Sequence, residues 1–338
     1  MLNTPSSDQP LIDSYGRKVS YLRLSVTDRC DFRCSYCMSE NMTFLSRSDV
    51  LSLEEMERVC VAFIKRGVDK IRLTGGEPLV RREVITLIER LGARVKSGEL
   101  RELTVTTNGS QLKKHARRIA EAGVKRINVS LDTLDEEKFH TLTRRGRLPQ
   151  VLEGINAALD AGLKVKLNAV AVKGVNDNEF IKLVDFAHSR GMDITFIETM
   201  PLGAIEHDRD DHYIPLSAVK DTLQRKYTFE NSDLVTGGPS RYVSLKETGG
   251  RVGFITPLSH NFCESCNRVR VTCTGKLYMC LGQDDMVDLM PSLRECDDNT
   301  DLHKALDQAM IMKPKGHDFV EERVNTPSVA RHMNVTGG

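Results

Sequence analysis

The chain has 338 residues, with 48 Lys and Arg against 47 Asp and Glu and a formal net charge of +1. That length suits one large or two ordinary domains, and the even charge excludes a whole-protein field for nucleic acid or a membrane surface. Any anion site must come from local clustering of basic residues. No run approaches the length of a spanning helix, and "MLNTPSSDQPLIDSYG" carries no apolar signal segment. Cytoplasmic residence, without membrane or nucleic-acid partners, is therefore expected.

Residues 1–13 read as a loose polar leader. The apolar, β-branched run "YLRLSVT" (21–27) is the first strand, and Cys30, Cys34 and Cys37 follow it as C-x3-C-x2-C. The stretch "SLEEMERVCVAFIKRG" is a helix: Ser52 and Glu55 form a capping box, Gly67 stops it, and Met56, Val59, Cys60, Phe63 and Ile64 recur at helical spacing. Cys60 is a small buried apolar residue in that pattern. Strands follow at "KIRLTG" (70–75), "LTVTTN" (103–108), "RINVSLD" (126–132), "KVKLNAVAV" (164–172) and "DITFIETM" (193–200). Between them lie "REVITLIERLGARVK", "KKHARRIAEAG", "VLEGINAALDAG" and "NEFIKLVDFAHSRG", amphipathic stretches that several times end at glycine. Strand, helix, strand at this spacing means right-handed βαβ units and a parallel sheet. The fold class is α/β, an incomplete (β/α)6 TIM-like barrel over residues 14–205.

Each strand run ends in small or polar groups: Thr74-Gly75-Gly76-Glu77, Thr106-Thr107-Asn108-Gly109, Ser130-Leu131-Asp132 and Glu198-Thr199-Met200. One such end is an ordinary turn. Recurrence at most strand ends points to a site, because these ends converge on one face of a parallel barrel. Beyond residue 205 the rhythm changes. "SAVKDTLQRKY" is helical, and "TGGPSRYVSLKETGGRVGFITPL" reads as short strands joined by glycine turns. Residues 206–338 form a smaller C-terminal region that packs on the barrel.

The cysteines carry the chemistry. Thiolates bind zinc or iron–sulfur clusters. Three thiolates on a four-iron cluster leave one iron open for a small molecule. A structural zinc site needs four ligands, and no histidine lies near this trio. Free structural thiols are the remaining reading. The second group, Cys263, Cys266 and Cys280, leaves cluster and zinc equally open, since His260 or Cys273 can complete a four-ligand set. Arg268 and Arg270 point the same way on a strand, and Arg23, Arg72 and Lys166 each lie inside a strand run. Charged residues there face either a ligand or an internal ion pair. Few acids occupy matching positions, which favours a multiply charged phosphate. In "RLTGGEP" the two glycines let the backbone approach a ligand and present N–H donors.

These motifs together resemble the radical S-adenosylmethionine superfamily. "YLRLSVTDRCDFRCSYCM", "IRLTGGEPLVRR", "VTTNG", "INVSLDTLD", "FCESCNRVRVTCTGKLYMCL" and the terminal "GG" resemble the branch that opens molybdenum cofactor synthesis from GTP, over residues 14–338. The resemblance implies two [4Fe–4S] clusters, one on Cys30, Cys34 and Cys37 and one on Cys263, Cys266 and Cys280, with the second region carrying the latter. It implies S-adenosylmethionine as cofactor, lined by Tyr36, Gly76, Ser130 and Met200. GTP as substrate is implied beside Arg23, Arg72, Thr106, Lys166, Arg268 and Arg270, with Gly337 and Gly338 reaching into the active site. The implied reaction is radical conversion of GTP to 3',8-cyclo-7,8-dihydro-GTP. Its implied partners are an external one-electron donor and the next pathway enzyme, cyclic pyranopterin monophosphate synthase. A homodimer is also expected. Thr195 stands where family members often carry arginine, which removes one phosphate contact. Cys273 and Cys296 match no family ligand.

Overall fold

The computed structural model describes residues 9–200, 202, 212–259, 263–295, 298–317 and 329–337. All six expected strands form: β1 (Tyr21–Ser25), β2 (Lys70–Thr74), β3 (Glu102–Thr107), β4 (Arg126–Ser130), β5 (Lys164–Val170) and β6 (Asp193–Ile197). Most end before their apolar runs do, because the polar residues at each C-terminal end leave the ladder and enter a loop. The helices between them are α1 (Leu53–Lys65), α2 (Val84–Ser97), α3 (Leu112–Glu121), α4 (Glu136–Thr143), α5 (Leu148–Asp160) and α6 (Phe180–His188). In α1 the Glu55 amide donates to Ser52 Oγ at 3.1 Å and the Ser52 amide donates to Glu55 Oε2 at 2.6 Å, so the capping box is complete. Cys60 is buried between Val59 and Phe63 on the inner face. Helix α4 was not anticipated. It is short, with Phe139 and Leu142 as its buried apolar anchors, and its start depends on Asp135 accepting from the Lys138 amide.

Five short strands continue the ladder beyond residue 240, namely β8 (Arg241–Leu245), β9 (Arg251–Ile255), β10 (Arg268–Val271), β11 (Lys276–Tyr278) and β12 (Met286–Asp288), after β7 (Phe229–Asn231). The twelve strands make one sheet in the order β12-β11-β10-β1-β2-β3-β4-β5-β6-β9-β8-β7. Within the stretch from β10 to β9 every adjacent pair is parallel. From β1 to β6 the spatial order is the chain order, so the sheet winds in one direction. The fold is α/β with a large, mostly parallel sheet. β1 is buried along its whole length, as expected for a parallel strand covered on both faces.

Two expectations are corrected. Residues after 205 do not simply pack on the sheet: β9 extends it beside β6 and β10 extends it beside β1. The physical reason is edge pairing. Without these strands, β1 and β6 would leave rows of backbone N–H and C=O groups unpaired. Residues 9–13 are not a loose leader. Leu11 is fully buried, Val19 donates to its carbonyl at 2.8 Å, and Arg66 Nε donates to the Gln9 carbonyl at 2.5 Å.

The register sets an unusual row of charge. Arg270 on β10 stands opposite Arg23 on β1, and Arg23 stands opposite Arg72 on β2. Two residues earlier, Arg268, Tyr21 and Lys70 stand abreast. Lys70 is balanced from the neighbouring strand, its Nζ lying 2.7 Å from Glu102 Oε2, and Glu102 also takes Arg126 at 2.6 Å. Burial would raise the Glu102 carboxyl, but Lys70 and Arg126 outweigh it and bring it down to about 2. The stability it contributes is therefore present in full above the ordinary carboxylate pKa and is lost as pH falls toward 2. Replacing Glu102 by alanine strips the buried Lys70 of its counter-ion, and should lower stability by about 3 kcal/mol at pH 7. Urea unfolding checks this; an unchanged midpoint would contradict it.

Candidate active site

The loop after β1 brings Cys30, Cys34 and Cys37 to the wall of one cavity at the C-terminal ends of the strands. Its short turns do this: the Cys37 amide donates to the Cys34 carbonyl at 2.9 Å, and the Arg33 and Ser35 amides are tied to the Thr143 and Leu142 carbonyls at 2.9 and 3.0 Å. Burial, with the neighbouring Cys37 and Cys30, pushes the Cys34 thiol well above its ordinary range. Burial likewise pushes Cys37 up to about 12 and, with Glu77, raises Cys30. Three such thiols ionise together only when a positive centre compensates them, so metal binding there would release protons. Three cysteine sulfurs on one cavity wall are the donor type that a [4Fe–4S] cluster takes.

Tyr36, Gly76, Ser130 and Met200 line the same cavity, as does Thr106. The Tyr36 hydroxyl donates to Asp132 Oδ2 at 2.7 Å, and burial raises the Asp132 carboxyl to about 6. Glu77 ties two strand ends together behind the cavity wall. It is fully buried, accepts from Thr107 Oγ1 at 2.7 Å and from the Asn108 amide at 2.6 Å, and burial raises it to about 7. The sequence contains Glu77 directly after the two glycines, but nothing local reveals that it clamps the end of β2 to the end of β3.

The glycines work differently from the expectation. The Gly76 amide donates to the Thr27 carbonyl at 2.8 Å, so that N–H is used within the chain. A Cβ on Gly75 would stand 2.4 Å from the Thr27 carbonyl oxygen, and one on Gly76 would stand 2.3 Å from that of Arg29. Both glycines exist because the cysteine-bearing loop crosses directly against them.

A second cavity adjoins the first, and Asn168, Ile197, Met200 and Met333 border both. Its walls bring together Arg23, Arg72, Lys166, Arg268 and Arg270 with Cys263, Cys266 and Cys280. Thr106 is the one expected substrate contact found with the cysteine trio instead, because it lies two residues beyond the Arg72 level on β3. Burial, with Arg270, holds the Arg23 guanidinium well below its usual range, and burial with Arg268 brings Arg270 to about 10. Burial raises the Cys266 thiol, yet Arg268 and Lys313 outweigh it and lower the group. Cys273 is buried elsewhere in the core and does not line this cavity. His260, Cys296 and Gly338 lie outside the described residues.

Several cavity groups went unnoticed in the sequence. Tyr21 sits among the cations, with Lys70 Nζ 5.0 Å and the Arg72 guanidinium 5.7 Å from its ring centroid. Burial alone would raise its phenol; Arg72, Arg23, Lys70 and Arg268 together bring it down to about 8. Both amide atoms of Asn128, and Oδ1 of Asn168, are buried without a hydrogen-bond partner at the cavity wall. Thr195 is buried on β6 beside Asn168 and Gly253. The end of the chain reaches this region: Arg270 Nη1 donates to the Gly337 carbonyl at 2.8 Å, and a Cβ at Gly337 would meet Thr74 Cγ2 at 2.2 Å.

Residues 24–187 match the family model of the Radical SAM superfamily, and residues 192–319 match that of Molybdenum Cofactor Synthesis C. The crystal structure of Streptococcus suis SuiB bound to S-adenosylmethionine has a similar fold, with a TM-score of 0.60 at 16% identity over 95% of this chain and 78% of that one. The fold and the cysteine-lined cavity thus define a radical S-adenosylmethionine protein, a class that uses S-adenosylmethionine and a [4Fe–4S] cluster. Proteins named GTP 3',8-cyclase are similar along nearly the whole chain. The one from Agrobacterium fabrum is 61% identical over 333 residues, 98% of this chain and 95% of its own. That from Rhizobium etli is 62% identical over 330 residues, 97% and 94% of the two chains. The chain belongs to the GTP 3',8-cyclase family.

Proposed function

We propose that this protein converts GTP to 3',8-cyclo-7,8-dihydro-GTP, the first step of molybdenum cofactor synthesis, within an incomplete barrel formed by residues 14–205 and completed by residues 206–338. The observation that carries the reading is the row Arg270–Arg23–Arg72 beside a cavity lined by three cysteines. Like charges abreast on neighbouring strands repel, so such a row is favourable only with a polyanion against it. A nucleoside triphosphate supplies that charge.

In this reading Cys30, Cys34 and Cys37 hold the first [4Fe–4S] cluster, and Tyr36, Gly76, Ser130 and Met200 surround S-adenosylmethionine. Cys263, Cys266 and Cys280 would hold a second cluster in the cavity that takes the nucleotide. Loaded in this way, the first cavity supplies one-electron reductive cleavage and hydrogen-atom abstraction. The chain does the rest. Arg23, Arg72, Lys166, Arg268 and Arg270 fix the triphosphate with charge-assisted bonds. The partnerless amide atoms of Asn128 and Asn168 orient the nucleoside between the two cavities. Thr106 bridges from the cofactor side, and Gly337 threads the remaining gap. The strands and the C-terminal segment exclude water from the reacting ribose. An external one-electron donor and the enzyme that consumes the cyclised nucleotide complete the reaction sequence.

Anaerobic incubation with GTP, S-adenosylmethionine and a strong reductant tests the proposal. Chromatography with mass analysis should find an isomer of GTP, with one 5'-deoxyadenosine formed per product. GTP recovered unchanged, or zinc in place of iron on metal analysis, would refute it.

The cation cluster also fixes a pH dependence. Burial, aided by Arg72, brings the Lys166 ammonium down to about 8 against the opposing Tyr242 phenol 3.1 Å away. Above that pH Lys166 loses its charge, while Tyr21 gains a negative one near the same value. Both changes remove positive potential. GTP affinity should begin to fall between pH 7 and 8 and be on the order of tenfold weaker by pH 9.5, as read by equilibrium binding. An affinity that rises across this interval would contradict the assignment.

A further inference from the structure

We infer that Asn334 belongs to the S-adenosylmethionine site, where its side-chain carbonyl accepts a hydrogen bond from an N–H or O–H group of the bound sulfonium compound. This rests on the reading of the trio cavity given above. Asn334 lies in the short helix Met333–Thr336 near the end of the chain, is only 1% exposed, and lines the cavity with Cys34, Cys37 and Tyr36.

Its orientation is set by what it donates to. Asn334 Nδ2 donates to the Asp28 carbonyl at 3.1 Å, in the loop that carries the cysteines. That bond can be made only by the amide nitrogen, since a carbonyl cannot donate. Oδ1 is thereby turned away from Asp28, and it is buried without a donor of its own. An unsatisfied buried carbonyl is costly, and a ligand donor removes the cost. The backbone N–H of the same residue hydrogen-bonds the Cys37 sulfur and opposes the effect of burial on that thiol. One residue thus touches the loop and Cys37 while lining the cavity. Three residues on, the Gly337 carbonyl accepts from Arg270 in the adjoining cavity. The chain end therefore brings an acceptor for the cofactor and a contact to the substrate wall in one short segment.

Two variants separate the acceptor from mere packing. Asn334→Ala removes Oδ1 and the Asp28 bond together. Asn334→Asp keeps the acceptor and breaks the Asp28 bond. The probe is S-adenosylmethionine itself, measured by anaerobic equilibrium dialysis on reconstituted protein without GTP, after iron has been counted. The dissociation constant should rise about tenfold in Asn334→Ala, as expected for loss of one hydrogen bond to a charged ligand. In Asn334→Asp it should stay within about threefold of the parent. Equal losses in both variants, or none in either, would overturn the inference. If the alanine variant takes up no iron, the aspartate variant decides alone: affinity near that of the parent supports the acceptor, and a tenfold loss overturns it. Parent protein that holds four irons per trio yet binds no S-adenosylmethionine would sink the reading of the cavity rather than the role of Asn334.

Discussion

Protein carrying Cys34→Ala should release no 5'-deoxyadenosine above background, a fall of at least about a thousandfold, while remaining folded. Cys34 is one of three cysteine sulfurs on its cavity, and among the described residues no other cysteine borders it. Losing it leaves two protein ligands for a four-iron centre, and the lost anchor cannot be replaced from the wall. The fold should tolerate the change. Cys34 is half-buried at the margin of the core, so alanine removes one sulfur and little packing. The measurement is anaerobic turnover by chromatography, beside a thermal unfolding curve. Cleavage at the parental rate would show that these sulfurs do not hold the reacting centre.

The second large effect comes from Gly76→Ala. The added methyl would lie 2.3 Å from the Arg29 carbonyl oxygen, 2.6 Å from its carbon and 2.8 Å from the Asp28 carbonyl oxygen. All three are backbone atoms, so no rotamer change relieves the clash. Nor can the loop simply swing out. The Gly76 amide is bonded to the Thr27 carbonyl and the Glu77 amide to the Arg29 carbonyl, each at 2.8 Å. Relief therefore means displacing the segment that leads into Cys30. The expected cost is about 3 kcal/mol, together with loss of most of the iron after reconstitution. Gly98→Ala is the control: its φ is +85°, but nothing lies within 4 Å of the new methyl. It should cost about 1 kcal/mol and leave iron content unchanged. Full iron content and an unshifted melting curve in Gly76→Ala would show that the crossing is looser than these distances.

Much of this was written in local sequence. The six strand runs, the capping box at Ser52 and Glu55, the burial of Cys60 and the cysteine spacings depend on residues a few places apart, which a pattern can display. Cations inside strands, such as Arg23, Arg72 and Lys166, were visible as anomalies because an inner strand seldom holds them. Ser130 and Met200 stood among the polar strand ends expected to converge, whereas Tyr36 was implied only by the family resemblance.

Other features belong to the tertiary structure alone. That Arg270 stands beside Arg23, and Arg23 beside Arg72, depends on β10 pairing with β1 across some two hundred and fifty residues of chain. No local pattern encodes such a register, because it is chosen when free sheet edges find partners. The same holds for β9 closing the edge of β6, for Thr106 falling beside the cysteine trio, and for Asn334 meeting the cysteine-bearing loop through its bond to the Asp28 carbonyl. The sequence by itself determined which elements form and which chemistry they carry, since propensity, periodicity and ligand spacing act between near neighbours. Tertiary packing decided which of those groups meet, since edge pairing and close backbone crossings join segments far apart in the chain.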